Sequence, residues 1–235
     1  MEGRCTGISS FKETTDGREK AEELGRAGSA FLEKGERDSA LQCFKEALAI
    51  LKEAGMKDEI AGLQGKMGAA FLAQNEKDAA LKCFQEAAAI YKEGGYRLGE
   101  AMCLNNIGLV FVDKMSPEEA RKYFIDALAV FRELGCREEE ADHLGNVGST
   151  YRDTGDNDRA LEFYRESLAV FKELGHKIGE ANELSNIGYI LAVKGDFRGA
   201  LDCFEDALEL FGELGASPQV EMTRKNIDIL LSKAM

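Results

Sequence analysis

The chain has no tryptophan, only two prolines and two histidines, and no apolar run longer than a few residues. Each shortage excludes something. A membrane-crossing helix needs about 20 consecutive apolar residues, so no transmembrane segment fits. The start, Met1-Glu-Gly-Arg-Cys-Thr-Gly7, has no apolar core of signal-peptide length, and an intracellular, cytoplasmic setting is expected. With histidine only at positions 143 and 176, no Ser-His-Asp set assembles. Glycines fall in helical patterns or at their ends and not in a phosphate loop after a strand. Carboxylates abound as i,i+4 surface charge, with no sign of a desolvated pair. A non-catalytic chain without metal or cofactor is expected.

Net charge is −13 over 235 residues. A nucleic-acid backbone is repelled by such a surface, so nucleic acid is not an expected partner. Six cysteines are present without a Cys-x-x-Cys pair. Cys43, Cys83 and Cys203 recur at multiples of one spacing, and equivalent sites in stacked helix pairs lie about 10 Å apart, too far for a disulfide. They read as small buried hydrophobes, with Cys5 and Cys136 exposed.

What the chain does have is a period. Glycines stand at 28, 68, 108, 148 and 188, and again at 55, 95, 135, 175 and 215, each with a step of 40. Ala40, Ala80, Ala120, Ala160 and Ala200 keep the step, as do Phe44, Phe84, Phe124, Tyr164 and Phe204. So do Phe31, Phe71, Phe111, Tyr151 and Leu191. Five registers without an insertion define an internal repeat.

Each copy reads as two helices. In the fifth, helix A runs from about 180 to 193, Lys194-Gly195-Asp196 turns with Asp196 as N-cap, and helix B runs from about 197 to 214. Gly215 then supplies a left-handed stop. In the third copy Ser116 is the expected N-cap, Pro117 the first helical residue and Glu119 the capping-box partner. At 100° per residue, Leu184, Ile187, Gly188 and Leu191 share one side of helix A. Ala200, Phe204, Ala207, Leu208 and Phe211 share one side of helix B. Gly188 is expected to face the small residues of its partner.

Ile107-Gly108-x-x-Phe111 followed by Ala120-x-x-x-Phe124 resembles the tetratricopeptide-repeat signature. So does Val147-Gly148-x-x-Tyr151 with Ala160-x-x-x-Tyr164. The usual unit of that family is 34 residues, and here it is 40. The frequent proline late in helix B is replaced by Lys52, Lys92, Arg132, Lys172 and Gly212. Gly-Glu-Ala opening helix A at 99–101 and 179–181 is similar to the Leu-Gly-Asn-repeat (Pins-like) and kinesin-light-chain branches.

The resemblance implies an all-α, right-handed α-solenoid of five helix-turn-helix units. Their expected bounds are 19–58, 59–98, 99–138, 139–178 and 179–218, with a capping helix at 219–234. Residues 18–235 are expected as one solenoid. Residues 1–17 carry no repeat signature and are expected as a disordered lead. In the capping helix Ile227 and Leu231 continue the apolar columns.

In the family the A helices line a concave groove. The candidate face there carries Asn106, Asn146, Asn186 and Asn226 as a ladder at one column, preceded by Arg26 and Lys66. Asn105, Asn182, Met102 and Tyr189 stand beside it. Asparagine offers two donors and an acceptor, which suits the backbone of a bound peptide, and Met102 and Tyr189 suit its apolar side chains. Gly65, Gly145 and Ser185 leave room. The alternative is that the amides bond neighbouring helices and set repeat spacing, and both readings stand. The expected function is a non-catalytic module that binds a peptide segment of a protein partner as scaffold or adaptor. The chain is then a monomer or weak homo-oligomer without membrane insertion. Self-assembly through the open end of the array at Leu210, Phe211 and Leu214, and a peptide-sensing regulatory role, are the alternatives.

Overall fold

A computed structural model describes residues 6–234, with side chains described for residues 16–232. These residues form eleven helices: α1 (Thr6–Glu33), α2 (Arg37–Ala54), α3 (Lys57–Ala73), α4 (Lys77–Gly94), α5 (Arg97–Asp113), α6 (Pro117–Leu134), α7 (Arg137–Asp153), α8 (Asn157–Leu174), α9 (Lys177–Val193), α10 (Phe197–Glu213) and α11 (Ser217–Ala234). The odd-numbered helices through α9 are the A helices, the even-numbered ones the B helices, and α11 is a sixth A helix. The chain divides into two compact units, residues 1–114 with α1–α5 and residues 115–235 with α6–α11. The division falls inside the third repeat. Of the expected lead, residues 1–5 lie outside the described residues, and residues 6–17 are the first turns of α1.

The turns follow from local chemistry. Each B helix that precedes an A helix runs into a glycine at positive φ: Gly55, Gly95, Gly135, Gly175 and Gly215 at 65° to 74°. At Gly175 the chain folds back on α8, with Gly175 N donating to Lys172 O (3.1 Å) and His176 N to Phe171 O (2.9 Å), the Schellman pattern. The A-to-B turns have their own left-handed column, Gly35, Asn75, Met115, Gly155 and Gly195. Asp196 caps α10 by accepting from Gly199 N at 3.0 Å, and Asp156 caps α8 through Arg159 N. Ser116 precedes α6 with Pro117 at its start, but its side chain makes no cap bond. A residue before proline is pushed toward extended backbone, and Ser116 has φ −119° against −81° at Asp196.

Packing in each unit is alanine-rich and close. In the first, Phe44, Ala47, Leu51, Leu63 and Met67 belong to one buried cluster. In the second, Leu128, Ala141, Leu144 and Phe171 form one cluster, and Ala181, Leu184, Ala207 and Phe211 another. The packing glycines face aromatic rings as well as small residues. A Cβ built on Gly148 would meet Tyr164 Cε1 at 2.8 Å and the Ala160 carbonyl oxygen at 3.3 Å. In α11 Leu230 is buried and Leu231 is 46% exposed, so the apolar column expected at Leu231 is displaced by one residue.

Lys57–Glu93 (2.8 Å), Arg137–Glu173 (2.6 Å) and Lys177–Glu213 (2.6 Å) join the start of an A helix to the end of its B helix. Exposed pairs of this kind contribute about 0–1 kcal/mol each. Cys43, Cys83, Cys103, Cys136 and Cys203 are free thiols. Of Cys43, Cys83 and Cys203, expected to be buried, only Cys83 is fully so, and the other two are half-buried. Cys136, expected exposed, is half-buried as well, and Cys5 lies outside the described residues.

Candidate functional site

The ten candidate residues divide evenly between the units. Arg26 on α1, Lys66 on α3 and Met102, Asn105 and Asn106 on α5 belong to the first. Arg26, Lys66 and Met102 are exposed, whereas Asn105 and Asn106 are half-buried. Asn105 Oδ1 is buried and without a hydrogen-bond partner. Met102 (56% exposed) and Leu109 (40%) flank it on the same helix. Asn146 on α7, Asn182, Asn186 and Tyr189 on α9, and Asn226 on α11 belong to the second unit.

In that second unit the geometry converges. Asn182, Asn186, Tyr189 and Val193 recur at i+4, i+3 and i+4, which places them on one stripe of α9. Tyr189 and Val193 are about half exposed. A pocket of about 250 Å³ opens between α9, α10 and α11. Its walls are Tyr189, Ala192 and Val193 from α9, Phe197 and Phe204 from α10, and Ile229 and Leu230 from α11, with the Asn226 amide among them. A cavity of about 150 Å³ already admits benzene, so this pocket has room for a group the size of a branched aliphatic or aromatic side chain. Of its wall, sequence reasoning had singled out Tyr189 and Asn226 as ligand contacts. Ile229 of the same terminal helix was not singled out, although it stands three residues after Asn226.

Behind this face the second unit departs from the repeat. The register that holds buried Leu63 in α3 and Cys103 in α5 holds His143 in α7, Glu183 in α9 and Thr223 in α11. All three polar side chains are buried, at 6%, 5% and 3% exposure. His143 therefore faces inward. Its Nδ1 pairs with the Glu139 carbonyl oxygen at 2.7 Å and its ring packs 4.6 Å from that of Phe131. Its Nε2 is buried without a partner, and burial holds its pKa below the ordinary value. Thr223 Oγ1 donates to the Gln219 carbonyl.

Glu183 makes two side-chain hydrogen bonds. Asn186 Nδ2 donates to its Oε2 at 3.1 Å, and Ser167 Oγ on α8 lies 3.2 Å from its Oε1. Burial pushes its carboxyl up to about 7, against the lowering effect of the Asn186 and Ser167 hydrogen bonds. The room at Gly145, expected to be left for a ligand, is taken by this carboxyl. A Cβ there would collide with Glu183 Oε1. At Gly65 nothing lies within 4 Å of the equivalent Cβ position. The signal was available in the period: Ser167 stands in the column of Ala47, Ala87, Ala127 and Ala207, and Glu183 in that of Leu63 and Cys103.

Charge on the A helices of this unit is mostly internally paired or acidic. Arg152 bonds Asp153 at 2.9 Å and Lys225 pairs with Glu221 at 2.9 Å, while Asp142 and Asp228 are exposed. The end-face residues have separate fates. Phe211 is buried in a cluster that includes Val220 of α11, Leu210 packs against that cluster, and Leu214 is 45% exposed. Among the described residues no group of three or more His, Cys, Asp or Glu could hold a metal. No described helix is long and apolar enough to cross a membrane.

Residues 59–133 and 99–173 match the family profile described as tetratricopeptide repeat. No curated protein sequence matches the chain. Solved structures do. A putative kinesin light chain with nearly identical TPR-like repeats, from Podospora anserina, superposes with TM-score 0.72 at 11% identity, over 85% of this chain and 98% of that one. Aspartyl phosphate phosphatase F from Bacillus subtilis gives 0.80 at 18% identity, over 93% of this chain and 57% of that one. The Rap conjugation gene regulator of plasmid pLS20, in complex with the Phr* peptide, gives 0.65 at 19% identity, over 86% and 56%. At these identities the likeness is one of fold.

Proposed function

Because this chain belongs to the tetratricopeptide-repeat family, we propose that it is a protein-interaction module whose second unit binds a peptide segment of a partner, in a scaffold or adaptor role. One observation carries this reading: an apolar pocket of side-chain size with an asparagine amide in its wall. Concave, mostly apolar sites with a few convergent polar groups are what ligand sites look like. The pocket receives an aliphatic or aromatic side chain, and the amides of Asn226 and Asn186 bond the main chain beside it. The Rap regulator solved with its Phr* peptide supports the reading by showing that a chain of this fold can hold a peptide. With Arg152 and Lys225 already paired and Asp142 free of ion pairs, the segment is neutral or basic. The first unit contributes a second surface through Asn105, Asn106 and Met102.

The test is selection of binders from a random-peptide display library on the wild-type protein. The affinity of a selected peptide is then measured for Val193→Asp and for Asn186→Ala combined with Asn226→Ala. Wild-type affinity in both variants, with unchanged circular dichroism, sinks the site.

A further inference from the structure

Two departures from the repeat meet at one carboxyl, Glu183 in the register of Leu63 and Cys103 and Ser167 in an alanine column, beneath the bare Cα of Gly145, whose register also holds Gly25 and Gly65. Their hydrogen bonds have a direction. Ser167 Oγ lies 2.8 Å from the Ala141 carbonyl oxygen and 3.2 Å from Glu183 Oε1. A hydroxyl has a single proton to donate. Given to the nearer partner, Ala141, it leaves the Ser167 oxygen as an acceptor facing Oε1. That contact is satisfied when Glu183 is a neutral acid with its proton on Oε1. The other oxygen, Oε2, is then a carbonyl oxygen and accepts from Asn186 Nδ2 at 3.1 Å. The chain runs one way, from Asn186 through Glu183 and Ser167 to Ala141, with every buried group partnered.

We propose that Glu183 is a positioning residue for the peptide site: it holds the Asn186 amide with Nδ2 inward and Oδ1 outward, so that this rung accepts a hydrogen bond from an N–H of the bound segment. This rests on the peptide reading of the site. An ionised Glu183 keeps the same amide sense, with the Ser167 proton turned toward Oε1. The charged or titratable groups that act on Glu183 from neighbouring helices are Asp142 on α7 and Tyr164 on α8. Neither is basic, so the site lacks a counter-charge that would favour the ion. Glutamine at 183 reproduces the neutral acid, with its NH₂ toward Ser167 and its carbonyl toward Asn186. Leucine, the residue at position 63, removes the acceptor.

The first measurement needs no ligand. Side-chain amide resonances of Asn186 are followed against pH by NMR in wild type, Glu183→Gln and Glu183→Leu. The expected result is a wild-type titration with midpoint near 7, a flat Glu183→Gln response at the wild-type low-pH position, and loss of exchange protection in Glu183→Leu. An Asn186 amide indifferent to pH and to both substitutions overturns the proposal. The second measurement scans a library-selected peptide by backbone N-methylation. One position should lose at least tenfold affinity for wild type and little for Asn186→Ala. A scan with no such coupled position removes the acceptor role. Failure to select any peptide would instead remove the peptide reading, with the amide resonances still deciding what Glu183 does.

Discussion

Phe204 of α10 lays its ring edge where Gly188 of α9 has no side chain. A Cβ built on that glycine stands 2.9 Å from Phe204 Cε1 and 3.2 Å from the Ala200 carbonyl oxygen. The second contact is with backbone, which cannot swing aside. Gly188→Leu is therefore expected to overpack the pair and cost roughly 1–3 kcal/mol or more, although leucine is the better helix former by most of about 1 kcal/mol. Thermal melting checks it, and an unchanged transition refutes the packing role.

Glu183 gives a pH dependence with a definite sign. Its folded pKa, pushed up to about 7, lies above the ordinary 4.5 of a glutamate carboxyl. The fold thus favours the neutral acid. Its stabilising effect is complete below about pH 4.5 and is lost as pH rises from there to about 7. At about 1.4 kcal/mol per pKa unit, wild type should lose roughly 3 kcal/mol relative to Glu183→Gln across that window. Urea unfolding of both proteins at about pH 5 and about pH 8 reads the difference. Parallel behaviour at the two pH values contradicts it.

The same site predicts a trade between stability and presentation. Ser167→Ala alone leaves Glu183 with one partner fewer, and Glu183→Leu alone leaves Ser167 with the Ala141 carbonyl only. Replacing both restores the Leu–Ala pair that the first unit has at 63 and 47. Polar groups exchanged together for apolar ones of similar shape are often neutral or stabilising. The double variant should melt above either single variant and at or above wild type. A double variant less stable than both singles rules this out.

Met115 is 88% exposed and sits at φ +58°, where an L side chain costs about 1–2 kcal/mol. Glycine holds the equivalent place at 35, 155 and 195. Met115→Gly removes that strain and adds some chain entropy to the unfolded state, for a net gain of about 0.5–1 kcal/mol. The midpoint of chemical unfolding should rise, and a fall would show the position to be unstrained.

Val193 at the pocket mouth is 55% exposed. Aspartate there should change the stability of the free protein by no more than about 0.5 kcal/mol. It should weaken a library-selected peptide at least tenfold, about 1.4 kcal/mol. Titration calorimetry and melting on one preparation separate the two effects.

Much of the architecture was legible because the period is strict. The step of 40 located both helices of every copy, the glycine stops and the Asp196 cap. Other features were hidden by substitutions within a column. The second left-handed column escaped notice because Asn75 and Met115 interrupt its glycines. The Glu183 cluster escaped because hydrophobic spacing marks which positions are buried and is silent on a buried position filled by a polar residue. Only comparison of Glu183 with Leu63, and of Ser167 with Ala47, exposes it. Ser116 had the right residue type for a cap, yet its side chain makes no cap bond.

Tandem copies drift most freely at the surface, where a change has few neighbours to satisfy. In this chain the copies differ in the interior as well, with Leu63 and Cys103 in the first unit and His143, Glu183 and Thr223 in the same register of the second. Each such change needs a matched surrounding, as Glu183 has in Ser167 and Gly145. The copies have thereby ceased to be interchangeable parts. A 40-residue block moved from the first unit into the second would keep its turns and its glycine contacts, yet arrive without the complement its new neighbours require.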